Sequence, residues 1–324
     1  MTAHWQRLWN AWTHYWFRHA PVFDLAVTRI IVIVLQLWRL VGEGEFLPNL
    51  ISRSQLPNAL YHPLNILRLM TLPLGTDYRP SQDVLLMVFW VTLIAGLIAL
   101  VGFKTNFSLF VFATGCLFLR SFMYSFREFH HPEALMFIAL FLLAFSPSGA
   151  ALSLDNVLRR RRNNAMQETP VIEQTSIFAR WPLLLIRWLF ALIYLSAATS
   201  KLSVNPGPLD WMNGYTLQYI MLFDGLRHNI ELGVWLSNSH TLAVLLSWGS
   251  IIFESTFFLV VLFPRLWWIY IPAGLGFHAS ILLIQKADFY EYMALYAVFV
   301  PWSSLARKAA VYLSPQQLRA RFSS

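Results

Sequence analysis

Long, nearly uncharged apolar runs recur through this chain, and no other feature constrains its fold as strongly. A helix that crosses a bilayer needs about 20 mostly apolar residues, because every backbone N–H and C=O inside hydrocarbon must be matched within the protein. Runs of this kind occupy residues 23–41, 84–101, 107–123, 132–145, 181–202, 241–263, 266–284 and 289–302. The fourth and eighth are short and are expected to tilt little or to pack inside the bundle. The expected fold is an all-α polytopic membrane protein, a bundle of about eight transmembrane helices with two long outer loops, 42–83 and 203–240. The composition agrees: of 324 residues, 57% are hydrophobic and 12% charged, about half the charge of a soluble domain. Fourteen Trp, twelve Tyr and twenty-six Phe suit aromatic belts at both membrane surfaces.

The organisation reads as a basic, Trp-rich interfacial segment at 1–22, a transmembrane domain at 23–304 and a cytoplasmic tail at 305–324. In the first segment Trp5, Arg7, Trp9, Trp12, Trp16 and Arg18 point to an amphipathic helix lying in the membrane surface rather than a cleavable leader. With the N-terminus inside, thirteen Lys and Arg fall in inner segments, among them Arg159 to Arg162, against six in outer loops. That bias predicts both termini in the cytoplasm and makes the arginine run a topology determinant. A bacterial inner membrane is the expected location. The net charge of +8 follows from the same bias, so no nucleic-acid partner is expected. Cys116, the only cysteine, excludes an intrachain disulfide and a cysteine-based metal site.

Ionisable groups inside spans are functional candidates by default. Lys201 stands near the end of the fifth run, beside Ala197, Ala198 and Ser200, small residues that allow close helix packing. An ammonium there must be paired, hydrated or neutralised, and a neutral amine is a base. The plainer reading is that Lys201 snorkels to the headgroups. Asp24 and Arg29 open the first span, Arg187 lies in the fifth, Glu254 in the sixth and His278 in the seventh. His130 and His131 precede the fourth. His131, Lys201, Glu254 and His278 come from four different runs and are expected to converge on one outward-facing cavity, with Glu254 pairing with His278 or Arg187. No metal is expected, since HExxH, CxxC and HxH spacings are missing. Dinucleotide and nucleotide-triphosphate fingerprints and a serine nucleophile elbow are missing too.

These residues resemble a known family. Residues 194–221, YLSAATSKLSVNPGPLDWMNGYTLQYIM, are similar to a pattern in the HTTM (horizontally transferred transmembrane domain) family, which includes the membrane domain of vitamin K-dependent γ-glutamyl carboxylase. The pattern is an aromatic, small residues, Lys-Leu, then W-x-x-G-Y-x-x-x-Y. Lys201 falls on the family's catalytic lysine, and Trp211, Gly214 and Tyr215 on its tryptophan, glycine and tyrosine. Residues 277–295 resemble its F-H segment, with Tyr292 at the matching distance from His278. Residues 129–155 resemble its histidine-led span, which places His131, or His130 with a one-residue shift, on the functional histidine. Glu254 sits where the family carries an acidic residue within a span.

The resemblance implies chemistry with a reduced quinone of the vitamin K or menaquinone type, O2 and CO2. A neutral lysine amine takes a proton from the quinol, and oxidation yields a base stronger than any side chain. That base removes a proton from a weakly acidic C–H of a peptide or protein substrate, and the carbanion adds to CO2. Lys201, His131 and His278 are then the catalytic residues, supported by Glu254, Trp211, Tyr215, His130 and Tyr292. The animal carboxylase also has a large extra-membrane domain, whereas this sequence runs only from Ser303 to Ser324 beyond its last span; carboxylation of a clotting-type protein is not expected. The alternative is a non-enzymatic membrane component that assembles with or matures a partner protein. The lipid bilayer is a partner on either reading, and the oligomeric state is not readable from the sequence.

Overall fold

The computed structural model of the protein describes residues 3–42, 44–126, 133–162, 170–203, 207 and 209–312. In chain order the helices are α1 (Ala3–Phe17), α2 (Val22–Leu37), α3 (Phe46–Ser54), α4 (Asn65–Met70), α5 (Gln82–Val101), α6 (Thr105–Tyr124), α7 (Glu133–Ala144) and α8 (Leu154–Arg162). There follow α9 (Arg180–Ser203), α10 (Tyr215–His228), α11 (Glu231–Ser237), α12 (His240–Thr256), α13 (Leu259–Leu262), α14 (Trp267–Gln285), α15 (Tyr290–Leu295) and α16 (Trp302–Tyr312). The only sheet among the described residues is one antiparallel pair, Ala20–Pro21 with Thr175–Ser176.

Among the described residues six stretches are long and apolar enough to cross a membrane: Val22–Gly42, Gln82–Val101, Thr105–Tyr124, Arg180–Ser203, His240–Leu262 and Pro264–Gln285. The protein is an integral, multi-pass, all-α membrane protein. Two of the eight expected spans come out shorter. The fourth is α7, whose 12 residues cover about 18 Å at ~1.5 Å per residue, against about 30 Å of hydrocarbon. The eighth divides into α15 and the 3-10 turn Tyr296–Phe299. Pro301, which has no N–H to continue the ladder, stands two residues beyond its end.

The chain divides into two compact units, Met1–Leu183 with Val300–Ser324, and Leu184–Phe299. In the first, α5 shows how a membrane helix is patterned. Its buried face carries Leu85, Phe89, Thr92, Ala95, Gly96 and Ala99, while Met87, Trp90, Val91, Ile94 and Leu97 are exposed. Both faces are apolar, so helix packing is decided by size rather than hydrophobicity. Gly96 lies so close to Phe112 of α6 and Leu37 of α2 that a Cβ would collide with both. The loop between α2 and α5 carries short helices and Arg79, whose Nη2 donates to the Ser54 carbonyl at 2.8 Å and whose guanidinium lies over Tyr61 at 5.5 Å. Burial pushes the Tyr61 hydroxyl up to about 12, against the pull of Arg79.

At the other end of these spans, Arg29 and Asp155 tie the turns together. Arg29 is fully buried and donates to the carbonyls of Ser148 at 2.8 Å and Leu152 at 2.7 Å. Asp155 accepts from the backbone N–H of Lys104 at 2.8 Å, and from the N–H and hydroxyl of Thr105, each at 2.7 Å. Gly102, with φ of 76°, accepts the Asp155 N–H at 2.9 Å, and a Cβ there would strike Ser153. Ser303 N–H donates to Asp24 Oδ1 at 2.6 Å, fastening the start of α16 to α2.

In the second unit an aromatic core is built on Phe190, which packs against Tyr194, Phe257, Tyr292, Tyr296 and Phe299. Residues 215–237, within the second long loop, form the helical pair α10 and α11. Gly225 and Gly233 let these two meet backbone to backbone.

Partial burial raises the Asp155 carboxyl, but the hydrogen bonds from Thr105 and Lys104 and the charge of Arg29 outweigh it and leave it below the usual range. A carboxylate held low stabilises the fold in full above the ordinary range of about 4, and that contribution is lost as pH falls through the depressed value. Asp155→Asn is therefore expected to lower stability at pH 7 by roughly 1–2 kcal/mol, allowing for partial exposure. Melting curves of the purified protein should show the gap to wild type shrinking below about pH 4; a gap independent of pH would contradict this.

Candidate functional site

One face of α9 points inward. Phe190, Ala191, Tyr194 and Ala198 are buried, Lys201 continues the same stripe, and Leu192 and Leu195 face outward. On α12 the buried face is Ala243, Ser247, Ile251 and Glu254. These two faces bring Lys201 Nζ to 2.5 Å from Glu254 Oε1. The side chains are 21% and 5% exposed. Lys201 therefore does not snorkel outward alone; its charge is answered by a carboxylate. The expected partners of Glu254 were His278 and Arg187, and the geometry assigns Lys201 instead. Arg187 donates to the Val298 carbonyl at 2.6 Å and lies over the Phe299 ring.

Trp211, in the 3-10 turn Asp210–Asn213, places its ring centroid 5.3 Å from Lys201 Nζ, a cation–π distance. Beside this group opens a cavity of about 250 Å³. Lys201, Ser250, Ser280 and Gln285 give it polar points, and its walls include Leu217, Ile220, Leu246, Ile281, Ile284 and Phe289. Among the described residues Glu254 Oε2 and Trp211 Nε1 are buried with no hydrogen-bond partner. An unmatched carboxylate oxygen costs free energy in an apolar setting.

His278 lies one layer behind. Phe277 and Phe289 line the cavity and both pack on the imidazole, at 5.3 and 5.1 Å between centroids. Tyr292 stacks on it at 5.5 Å, nearly parallel. His278 Nε2 is 2.6 Å from the Tyr194 hydroxyl, which is also hydrogen-bonded to the Tyr296 hydroxyl. Tyr194 and Tyr296 were not among the expected site residues. The available signal was spacing: Tyr194 is two helical turns before Lys201 on the same face, and Tyr296 one turn after Tyr292.

Of the expected site residues, Lys201, Glu254 and Trp211 stand together, and His278 and Tyr292 back the cavity wall. Tyr215 does not line the cavity: it is 64% exposed and stacks on His240 at 4.2 Å. Its position as first residue of α10, behind Gly214 with φ of 84°, turns it outward. His130 and His131 lie outside the described residues.

The whole arrangement falls within residues 17–303, which match the family model for the HTTM domain. The chain belongs to the HTTM family. No curated protein and no solved structure matches it. The HTTM domain thus contains Lys201, Trp211, Glu254 and His278.

Removing one member of a buried ion pair leaves the other uncompensated. Lys201→Met and Glu254→Met are each expected to lower stability by about 3 kcal/mol, and the double variant to recover most of that loss. Thermal melting in detergent measures the cycle, and strictly additive losses would contradict the pairing.

Proposed function

We propose that the protein is a membrane enzyme in which the Lys201–Glu254 pair takes a proton from a reduced quinone of vitamin K or menaquinone type held in the adjoining cavity. The observation that supports this is an ion pair with one unmatched carboxylate oxygen, opening onto an apolar cavity of about 250 Å³. The residues fit such a ring. A cavity of ~150 Å³ already admits benzene, the walls are aliphatic and aromatic, and the Lys201 ammonium, two serine hydroxyls and Gln285 suit ring oxygens. With O2 the quinol would supply a base strong enough to remove a proton from a peptide or protein substrate, which then takes up CO2.

In this reading Lys201 is the general base and Glu254 sets its protonation. Moving the shared proton from Nζ to the carboxylate leaves a neutral amine, the form able to accept the quinol's proton. Trp211 covers the amine, keeps water from it and favours the ammonium once formed. His278, anchored through Tyr194 to Tyr296 and stacked on Tyr292, fixes the rings of Phe277 and Phe289 and so the cavity wall. His131, or His130, is assigned by the family likeness to stabilise developing negative charge. Both termini lie in the cytoplasm of a bacterial inner membrane in this reading, supported by thirteen inner against six outer basic residues.

A second reading, a component that assembles with or matures a partner protein, draws on the exposed aromatic stripe Tyr215, Tyr219 and Phe223 along α10. The two part company at Lys201. Purified protein supplied with menaquinol is expected to accelerate oxygen uptake. A general base contributes roughly 10²–10⁴-fold, so Lys201→Ala should lose at least about 100-fold while its helical circular dichroism is retained. Unchanged oxygen uptake in that variant would refute the enzyme reading.

A further inference from the structure

A second cavity, of about 640 Å³, lies in the unit that carries α2 and α8. Its lining includes Val22, Asn156, Arg159, Arg160, Glu173 and Thr175. Topology alone would explain the four arginines at the end of α8, but not their division. Arg159 and Arg160 line the cavity, and Arg161 and Arg162 are exposed outside it. Arg159 is also pre-positioned. Its Nη2 donates to Asn156 Oδ1 at 3.0 Å and to the Ala150 carbonyl at 3.4 Å, and Asn156 is buried. A guanidinium fixed in this way presents its remaining N–H groups as a fork suited to phosphate oxygens.

The cavity lies at membrane-surface level. Val22 in its wall is the first residue of the Val22–Gly42 span. Leu154, Val157 and Leu158 of α8 are exposed large apolar residues at i, i+3 and i+4, and Ile177 and Phe178 follow the strand that lines the cavity. A short helix with an exposed apolar stripe and arginines beside it lies in an interface, and a basic hollow at that depth takes headgroups. The volume is within the ~300–1,000 Å³ of small-molecule sites. Glu173 in the same lining opposes the two arginines in sign and leaves one net positive charge, enough to prefer an anionic headgroup over a zwitterionic one.

We propose that this cavity binds the phosphate of an anionic phospholipid headgroup, with Arg159 and Arg160 as its donors. The proposal is independent of the redox reading. The test is native mass spectrometry of the full chain from micelles doped with phosphatidylglycerol, phosphatidylcholine or inorganic phosphate. Wild type is expected to retain one phosphatidylglycerol in preference to phosphatidylcholine, with inorganic phosphate a poor competitor. Losing charge-assisted contacts should weaken retention roughly tenfold or more in Arg159→Gln/Arg160→Gln. Arg161→Gln/Arg162→Gln should behave as wild type, and Glu173→Gln should bind more tightly, an arm that stands even where the first variant folds poorly. Equal loss in both arginine pairs, equal retention of phosphatidylcholine, displacement by inorganic phosphate, or no gain in Glu173→Gln would overturn the site.

Discussion

A charge inside an apolar helical bundle must be answered from within the protein, because hydrocarbon offers nothing to solvate it. Each buried ionisable group described here follows that rule in its own way. Arg29 is met by two backbone carbonyls freed where the chain turns after α7. Glu133 lies between Arg39 and Arg120 at 3.6 and 3.4 Å. Lys201 is met by Glu254, and His278 by a tyrosine hydroxyl. The first two solutions fasten helices and turns. The last two surround or back a cavity, and the Lys201 solution leaves a carboxylate oxygen and an indole N–H unmatched. Unmatched atoms also occur at Arg29 Nε and Glu133 Oε2; what sets the Lys201 pair apart is that it stands beside an apolar cavity.

Much of this was legible in sequence because the membrane restricts the vocabulary. Six of eight apolar runs are long helices with ends within a few residues of the expected ones, since apolar length alone marks a span. The two that differ are the shortest, where local breakers such as Pro301 decide. Lys201, Trp211 and Glu254 were readable as candidates because a charge in an apolar run stands out. Their pairing was not, because the partner of a buried charge depends on helix rotation and tilt, which no spacing encodes. Tyr194 and Tyr296 escaped notice for a related reason. Tyrosine is common in these runs, and only tertiary contact distinguishes one that holds a histidine from one in an aromatic belt. Tyr215 went the other way: its place in the motif suggested the site, but the left-handed Gly214 before it directs it outward.

The chemistry proposed for the site needs two conditions that usually conflict, an uncharged base and a polar anchor to keep it in place. A lysine sharing a proton with a buried carboxylate meets both. The pair is neutral overall in either protonation arrangement, so the surrounding apolar wall does not have to stabilise an isolated charge. The tyrosine–histidine chain behind the wall contributes rigidity rather than charge. Its members are large, stacked and hydrogen-bonded, and they hold the two phenylalanines that close one side of the cavity.

The claim that the cavity beside Lys201 accepts a quinone ring is tested most directly by photocrosslinking. Protein in lipid nanodiscs would be irradiated with a photoreactive menaquinone analogue, and the labelled peptides mapped by mass spectrometry. Labels concentrated on peptides carrying Leu217 and Ile220 of α10 and Ile281 and Ile284 of α14, and removed by excess menaquinone, are the expected result. Labels spread over the outward faces of α5 and α9, unaffected by competition, would mean the ring meets the protein only as bulk lipid does.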